Sequence, residues 1–311
     1  MPDLATSKIL IVIAGPTAVG KTALGIEVAK HFSTEIISAD SRQFFIETEL
    51  GTAKPSADEL AAVKHHFINS HHIQDFFSTG DFEQEALILL EKLFKLHNVV
   101  VVVGGSGLYI NALLNGLDEL PETNLTIRAQ LNLRLAEEGL DGIRKDIEQA
   151  DPEFFANVDQ QNPQRLIRGL EFYLSTGQKL SSFFQHTKKT RPFRIIRIGL
   201  NKDRQELYEQ INDRVDLMMS SGLLDEVKSL LPFRGLNALK TVGYTELFDH
   251  LDGNITLEEA ISTIKQNTRR FAKRQLTWFR KDSEMLWYHP NQVEKLLGDL
   301  DEMLSSSTPE Q

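Results

Sequence analysis

The sequence predicts an α/β fold: a parallel sheet flanked by helices and interrupted by an all-helical insertion domain. Three observations predict it. The apolar, mostly β-branched run Ile9-Leu10-Ile11-Val12-Ile13-Ala14 ends at glycine, as suits a strand buried on both faces of a parallel sheet. A glycine-containing loop and an amphipathic helical pattern follow it directly. Between residues 120 and 189 strand-like runs give way to helical signals, and sheet-like sequence resumes at 193–200.

Each element follows in order. After the loop, Leu24, Val28 and Phe32 recur every fourth residue, and Lys30 and His31 lie near the end, where the helix dipole favours positive charge. Residues 35–39 suit a second strand with Asp40 at its carboxyl end, the end at which open α/β sheets bind ligands. Residues 48–78 are irregular, residues 82–97 suit a helix, and 98–103 form the central buried strand. Gly104-Gly105-Ser106-Gly107 then leads into a helix over 108–114, a second strand-to-glycine-to-helix turn whose N–H groups should approach the first. In the insertion, Thr123 or Asn124 caps a helix that Gly139 stops, while Asn162-Pro163 and Gly177 bracket another over 164–176. The core is thus 1–119 with 190–311, and the helical insertion is 120–189. Helices are expected over 204–221, 224–231, 242–251 and 257–280, then a strand over 284–289 and a disordered tail from Ser305.

Composition narrows the function. Apolar and charged fractions of 41% and 25% are those of an ordinary globular protein. No apolar run approaches the roughly 20 residues that span a membrane, and residues 1–8 lack a secretory pattern, so a cytoplasmic protein with no membrane partner is expected. The absence of cysteine excludes disulfides, thiolate zinc sites and a cysteine nucleophile. His65-His66 and His71-His72 lack the H-E-x-x-H spacing, and hydrogen-bonding roles are expected for them. A net charge of -10 opposes binding to nucleic acid. Charge is uneven, however: Lys265, Arg269, Arg270, Lys273, Arg274, Arg280 and Lys281 fall in a stretch without acids, interleaved with Phe271, Trp278 and Phe279. A second basic stretch holds Lys188, Lys189, Arg191, Arg194, Arg197, Lys202 and Arg204. One such run is usually a solvated face; two in an acidic chain point to a polyanionic partner.

Gly15-Pro16-Thr17-Ala18-Val19-Gly20-Lys21-Thr22 fits G-x-x-x-x-G-K-[ST] and stands between a strand and a helix, as that motif requires. The glycines let the backbone curl so that N–H groups point at phosphate oxygens, Lys21 neutralises charge, and the Thr22 hydroxyl serves Mg²⁺. Kinases, GTPases, ATPases and some transferases share this loop. Asn201-Lys202-Asp203-Arg204 fails the guanine motif N-K-x-D at its last position, and the strand ending in Gly104-Gly105 lacks the acid with which an ATPase holds Mg²⁺. A small-molecule kinase or another transferase with a phosphate ligand remains. Asp40 beside bound phosphates is costly unless it ligates Mg²⁺ or receives a proton from a nucleophile.

Further motifs stand in order: Ile37-Ser38-Ala39-Asp40-Ser41-Arg42-Gln43, Gly51-Thr52-Ala53-Lys54-Pro55, Val103-Gly104-Gly105-Ser106-Gly107-Leu108-Tyr109, Gln164-Arg165-Leu166-Ile167-Arg168, Val242-Gly243-Tyr244 and Ala272-Lys273-Arg274-Gln275-Leu276-Thr277-Trp278. With the loop, they make the sequence closely resemble the bacterial tRNA dimethylallyltransferases over nearly its whole length. Ser106 replaces a more usual threonine and keeps the hydroxyl. The resemblance implies a P-loop NTPase-like core in which residues 15–22 hold dimethylallyl diphosphate, with Mg²⁺ as cofactor at Thr22 and no phosphoryl transfer. N6 of adenine 37 in the tRNA anticodon stem-loop would attack C1, Asp40 would take the proton, and Lys21 and Arg214 would offset the charge of departing pyrophosphate. Implied tRNA contacts are Asp40, Ser41, Arg42 and Gln43; Ser106; Arg128; Gln161, Asn162, Pro163, Gln164 and Arg165; Lys240, Thr241, Val242, Gly243, Tyr244 and Thr245; and Lys273, Arg274, Gln275 and Arg280. The adenine must flip out of its loop to reach Asp40. A monomer is expected.

Overall fold

The computed structural model describes residues 8–118, 120–121, 124–184 and 188–305. These form two compact units, one within Met1–Asn115 and Thr190–Gln311, the other within Gly116–Lys189. The strands are β1 (Ile9–Ala14), β2 (Ile36–Ser38), β3 (His65–His66), β4 (Val99–Gly104), β5 (Arg194–Leu200) and β6 (Leu286–Tyr288). The helices of the first pass through the larger unit are α1 (Lys21–His31), α2 (Ala57–Ala62), α3 (Thr79–Leu96) and α4 (Gly107–Asn115). The smaller unit holds α5 (Leu125–Glu138), α6 (Leu140–Ala150), α7 (Pro152–Asn157) and α8 (Pro163–Thr176). After the return come α9 (Arg204–Ser220), α10 (Leu223–Ser229), α11 (Tyr244–Leu251), α12 (Leu257–Phe279) and α13 (Val293–Ser305).

The larger unit is a six-stranded sheet in the order β3-β2-β4-β1-β5-β6, parallel throughout. β1 lies between β4 and β5, with Ile9 opposite Val99 on one side and Arg194 on the other, and all six of its residues are buried. Its side chains alternate between two layers. Ile9, Ile11 and Ile13 share a core with Leu24 and Val28 of α1, Ile211 of α9, and Leu296 and Leu300 of α13. Leu10, Val12 and Ala14 join Phe82 and Leu90 of α3 and Leu113 of α4. Covering both faces is what permits an uninterrupted apolar strand, and it leaves the carboxyl ends of β1, β2 and β4 as the ligand-facing edge.

A third core gathers α10, α11 and the first half of α12 around Val227, Leu247, Tyr244 and Ile264. The smaller unit has its own core of Leu131, Ile143, Ile147, Leu166 and Leu170. Asn124 caps α5 by accepting from Ile127 N–H, and Asn162 caps α8 by accepting from Arg165 N–H at 3.2 Å. Thr123, the other candidate cap, lies outside the described residues, as does the tail beyond Ser305.

Two expectations change. The irregular stretch 48–78 contains α2 and β3. α2 starts with a capping box in which Ser56 and Glu59 satisfy each other's backbone N–H groups, whereas β3 is too short to show an alternation and is set by pairing with β2. The C-terminal region ends in α13 rather than in the strand, because Leu296 and Leu300 close one face of the sheet.

Candidate active site

The loop after β1 runs through Ala18, at φ +64°, to Gly20, at φ +100°, which caps α1 in the left-handed region open to glycine. Lys21 folds back over it, donating from Nζ to the Pro16 carbonyl at 2.7 Å. Within the motif Gly15, Pro16 and Val19 are buried and line neither cavity, and the Val19 side chain sits in the sheet core, so only its backbone is left for a ligand.

Beyond β2, the Asp40 carboxylate accepts from Arg42 N–H at 3.0 Å. Ser106, which follows β4, accepts from Ser41 N–H at 2.9 Å and donates to the Ser41 hydroxyl at 3.2 Å, tying the two strand ends together. Arg214 of α9 reaches in from the other side and donates to the Thr17 hydroxyl, while its buried Nε has no hydrogen-bond partner among the described residues. Burial pushes the Lys21 ammonium down to about 8, opposed by Asp40 and reinforced by Arg214. Burial also lowers the Arg214 pKa, against the pull of Asp40. Two buried cations against one carboxylate leave an excess of positive charge and a spare donor, which an anionic ligand would satisfy.

Two cavities open on these groups. The first, about 260 Å³, is lined by polar residues including Thr17, Lys21, Thr22, Ser38 and Asp40. The second, about 400 Å³, is walled by Leu108, Val215, Met218, Leu223, Phe271 and Trp278, with Ser106 and Arg274 at its margin. Thr17, Asp40, Thr52, Ala53 and Arg214 line both. A polar pocket sized for phosphates and an apolar, aromatic pocket therefore share a wall that carries the acid and the arginine.

The model of the IPP transferase family matches residues 43–282. The chain belongs to this family. The tRNA dimethylallyltransferase of Christiangramia forsetii is 54% identical to it, over 94% of this chain and 97% of its own length. That of Cytophaga hutchinsonii is 47% identical, over 93% and 95% respectively. The crystal structure of the full-length tRNA isopentenylpyrophosphate transferase from Bacillus halodurans aligns with a TM-score of 0.72 at 34% identity, covering 96% of this chain and 98% of the other. A eukaryotic dimethylallyltransferase acting on tRNA gives 0.79 at 26% identity, covering 98% and 81%. The P-loop NTPase-like fold and the enzyme class expected from sequence are those of these relatives, and none of them is named as a small-molecule kinase.

In this IPP transferase, the residues expected to meet RNA fall into distinct settings. Lys240, Thr245, Lys273, Arg274 and Arg280 are exposed, as are Gln161, Gln164 and Arg165 in the smaller unit, while Pro163 opens α8. Thr241, Val242 and Gly243 line the larger cavity. Arg42 also lines it, with a guanidinium that donates to the Asn237 and Ala238 carbonyls. Gln43 lines the polar cavity and donates to the Thr52 and Ala53 carbonyls at 3.3 and 3.0 Å. Arg128 is paired with Glu171, a carboxylate only 1% exposed that also accepts from Arg168 and Asn124 N–H.

Two residues depart from expectation. Tyr244 is wholly buried, with its phenol donating to Glu226, so its side chain does not face either cavity. Gln275 is buried as well, and both ends of its amide are bonded inside the protein. The second basic stretch is divided: Arg191 is buried against Glu83, Arg197 against Asp282 and Glu284, and Lys202 pairs with Glu206, while Lys188, Lys189 and Arg204 are exposed. Of the histidines, His66 lies 2.5 Å from Glu35 and His72 lies 2.7 Å from Glu47.

Thr52 and Ala53, on the shared wall, had no role assigned from sequence. Glu226 holds the turn before them by accepting from the N–H groups of Leu50 and Gly51. Composition offered no signal for this, since Glu226 stands in a helix like any surface glutamate.

Proposed function

We propose that this enzyme transfers the dimethylallyl group of dimethylallyl diphosphate to N6 of adenine 37 in the anticodon stem-loop of tRNA, releasing pyrophosphate, as a cytoplasmic monomer. The observation that carries this reading is the wall shared by the two cavities, on which Asp40, Thr17 and Arg214 stand together. The larger unit of one chain holds all the proposed reacting groups, which fits a monomer. Among the described residues no helix is long and apolar enough to cross a membrane.

The diphosphate occupies the polar cavity, against the loop N–H groups, Lys21 and Arg214. Because Arg214 donates to the Thr17 hydroxyl, the hydroxyl hydrogen is left to donate to a phosphate oxygen. C1 of the donor then lies at the shared wall. The flipped adenine enters through the larger cavity, where Phe271, Trp278 and Leu108 offer faces on which a base can stack. The N6 lone pair forms the bond to C1 as the C1–O bond breaks, and the electron pair leaves with pyrophosphate. N6 becomes acidic as it gains positive charge, so the Asp40 carboxylate takes its proton. Fixed cations opposite the leaving group stabilise charge that grows in the transition state. The Thr22 hydroxyl supplies a hard oxygen donor beside the phosphates, which fits Mg²⁺ at that place; when bound, the ion would add charge against the leaving group. The exposed Lys273, Arg274 and Arg280 are proposed to meet the RNA backbone, and Gln161, Gln164 and Arg165 to contact the anticodon loop.

The test is product analysis. Incubation with dimethylallyl diphosphate, Mg²⁺ and unmodified tRNA, followed by nuclease digestion and mass spectrometry, should yield N6-dimethylallyladenosine from position 37. Its absence, with ATP consumed in the presence of a small acceptor, would overturn the reading in favour of a kinase.

A further inference from the structure

Gln275 stands on α12 and is only 7% exposed. Its Oε1 accepts from the Thr17 backbone N–H at 2.8 Å, and its Nε2 donates to the Gly105 carbonyl at 2.9 Å. A backbone N–H only donates and a carbonyl only accepts, so the amide has a single orientation. One planar group thus spans the gap between the loop after β1 and the glycine turn after β4. A Cβ at Gly105 would lie 2.5 Å from Nε2, so this approach requires glycine.

Thr17 is held twice, by Gln275 at its backbone and by Arg214 at its hydroxyl. Phe271, Arg274, Gln275 and Trp278 are spaced i, i+3, i+4 and i+7, and all four line the larger cavity. Gln275 is therefore the point at which the helix face walling that cavity is bonded to the phosphate loop.

We propose that Gln275 is a positioning residue for prenyl transfer. It sets the diphosphate loop in register with the base-receiving face of α12 and is not itself an RNA contact. This rests on the reading that the loop holds the donor and the larger cavity receives the adenine. Displacing Thr17 shifts the donor relative to Asp40, and reaction rates fall steeply with such displacements. RNA affinity depends on other groups of α12 and of the smaller unit.

Gln275→Met keeps the length and helix propensity of the side chain and removes both bonds; Gln275→Glu keeps the acceptor, loses the donor and serves if the first variant folds poorly. On the full chain, three quantities are measured: affinity for inorganic pyrophosphate with Mg²⁺ by calorimetry, affinity for an unmodified anticodon stem-loop by fluorescence anisotropy, and steady-state transfer. An inactive wild-type enzyme would sink the underlying reading, whatever the variants do. With an active wild type, pyrophosphate affinity and kcat/KM for the donor should fall about tenfold to a hundredfold, while RNA affinity stays within about twofold. Weakened RNA binding with pyrophosphate affinity unchanged would overturn the proposal and make Gln275 an RNA contact. A lowered melting temperature with both affinities and kcat/KM unchanged would also overturn it, leaving a bond that serves stability alone.

Discussion

The Tyr244 phenol donates to the Glu226 carboxylate at 2.6 Å, and the same carboxylate accepts from Leu50 N–H at 2.7 Å and Gly51 N–H at 3.1 Å. Glu226 thereby pins the turn that delivers Thr52 and Ala53 to the shared wall of the two cavities. Tyr244→Phe deletes one charge-assisted bond and keeps the ring packing. A loss of about 1.5–3 kcal/mol in urea unfolding is expected, with transfer reduced but not abolished. An unchanged urea midpoint would remove Glu226 and Tyr244 as the clamp on this turn.

Arg214 is the only cation that joins α9 to the phosphate loop through Thr17 among the bonds described. Arg214→Ala should lower kcat by about 10²- to 10³-fold, the usual loss when one donor to a developing anion is deleted, with tRNA affinity preserved. Arg214→Lys should recover only part of it, because an ammonium cannot reproduce the planar fork. A kcat in Arg214→Ala equal to that of wild type would remove Arg214 from the leaving-group clamp.

Lys21, held at about 8 by burial, is charged below that pH and neutral above it. Donor affinity in initial-rate assays should therefore weaken as pH rises through about 8. Lys21→Arg keeps its charge, and this limb of the profile should flatten. Stability of the ligand-free protein runs the other way. Between about 8 and the ordinary 10.5 the unfolded chain binds more protons than the folded one, so stability rises with pH in that window and the gain is absent below it.

A Cβ at Gly107 would fall on the indole of Trp278, which walls the larger cavity. Gly107→Ala should displace the indole and raise KM for tRNA about tenfold, as overpacking costs of 1–3 kcal/mol suggest. Pyrophosphate affinity should stay level. A rise in donor KM instead would assign the larger cavity to the donor.

Much of this site is legible in sequence because its parts are local. The strand Ile9–Ala14, the loop that follows and Asp40 at the end of β2 each lie within a few residues, and periodicity and glycine spacing report them directly. Arg214 was reached by resemblance, since 197 residues separate it from Thr17, whereas the glycine turn after β4 was legible directly. Tyr244 and Gln275 show the limit. Both belong to motifs of the family, yet a motif gives no direction for a side chain. Tyr244 turns inward to a glutamate 18 residues away, and Gln275 to a backbone N–H 258 residues away. The second basic stretch is only partly a surface for the same reason: Arg191 meets Glu83 across 108 residues and Arg197 meets Asp282 and Glu284, while Lys188, Lys189 and Arg204 stay exposed. α2 and α13 were not read, although the capping box of Ser56 and Glu59 and the four-residue spacing of Leu296 and Leu300 signal them.

The central claim is that Asp40 takes the proton from the attacking adenine at the wall between the cavities. The most direct measurement compares wild type with Asp40→Ala, using radiolabelled dimethylallyl diphosphate and unmodified tRNA and following label in RNA alongside pyrophosphate release. Turnover should fall about 10²- to 10⁴-fold, with tRNA and pyrophosphate affinities within about twofold of wild type. Turnover in Asp40→Ala close to that of wild type would contradict the account.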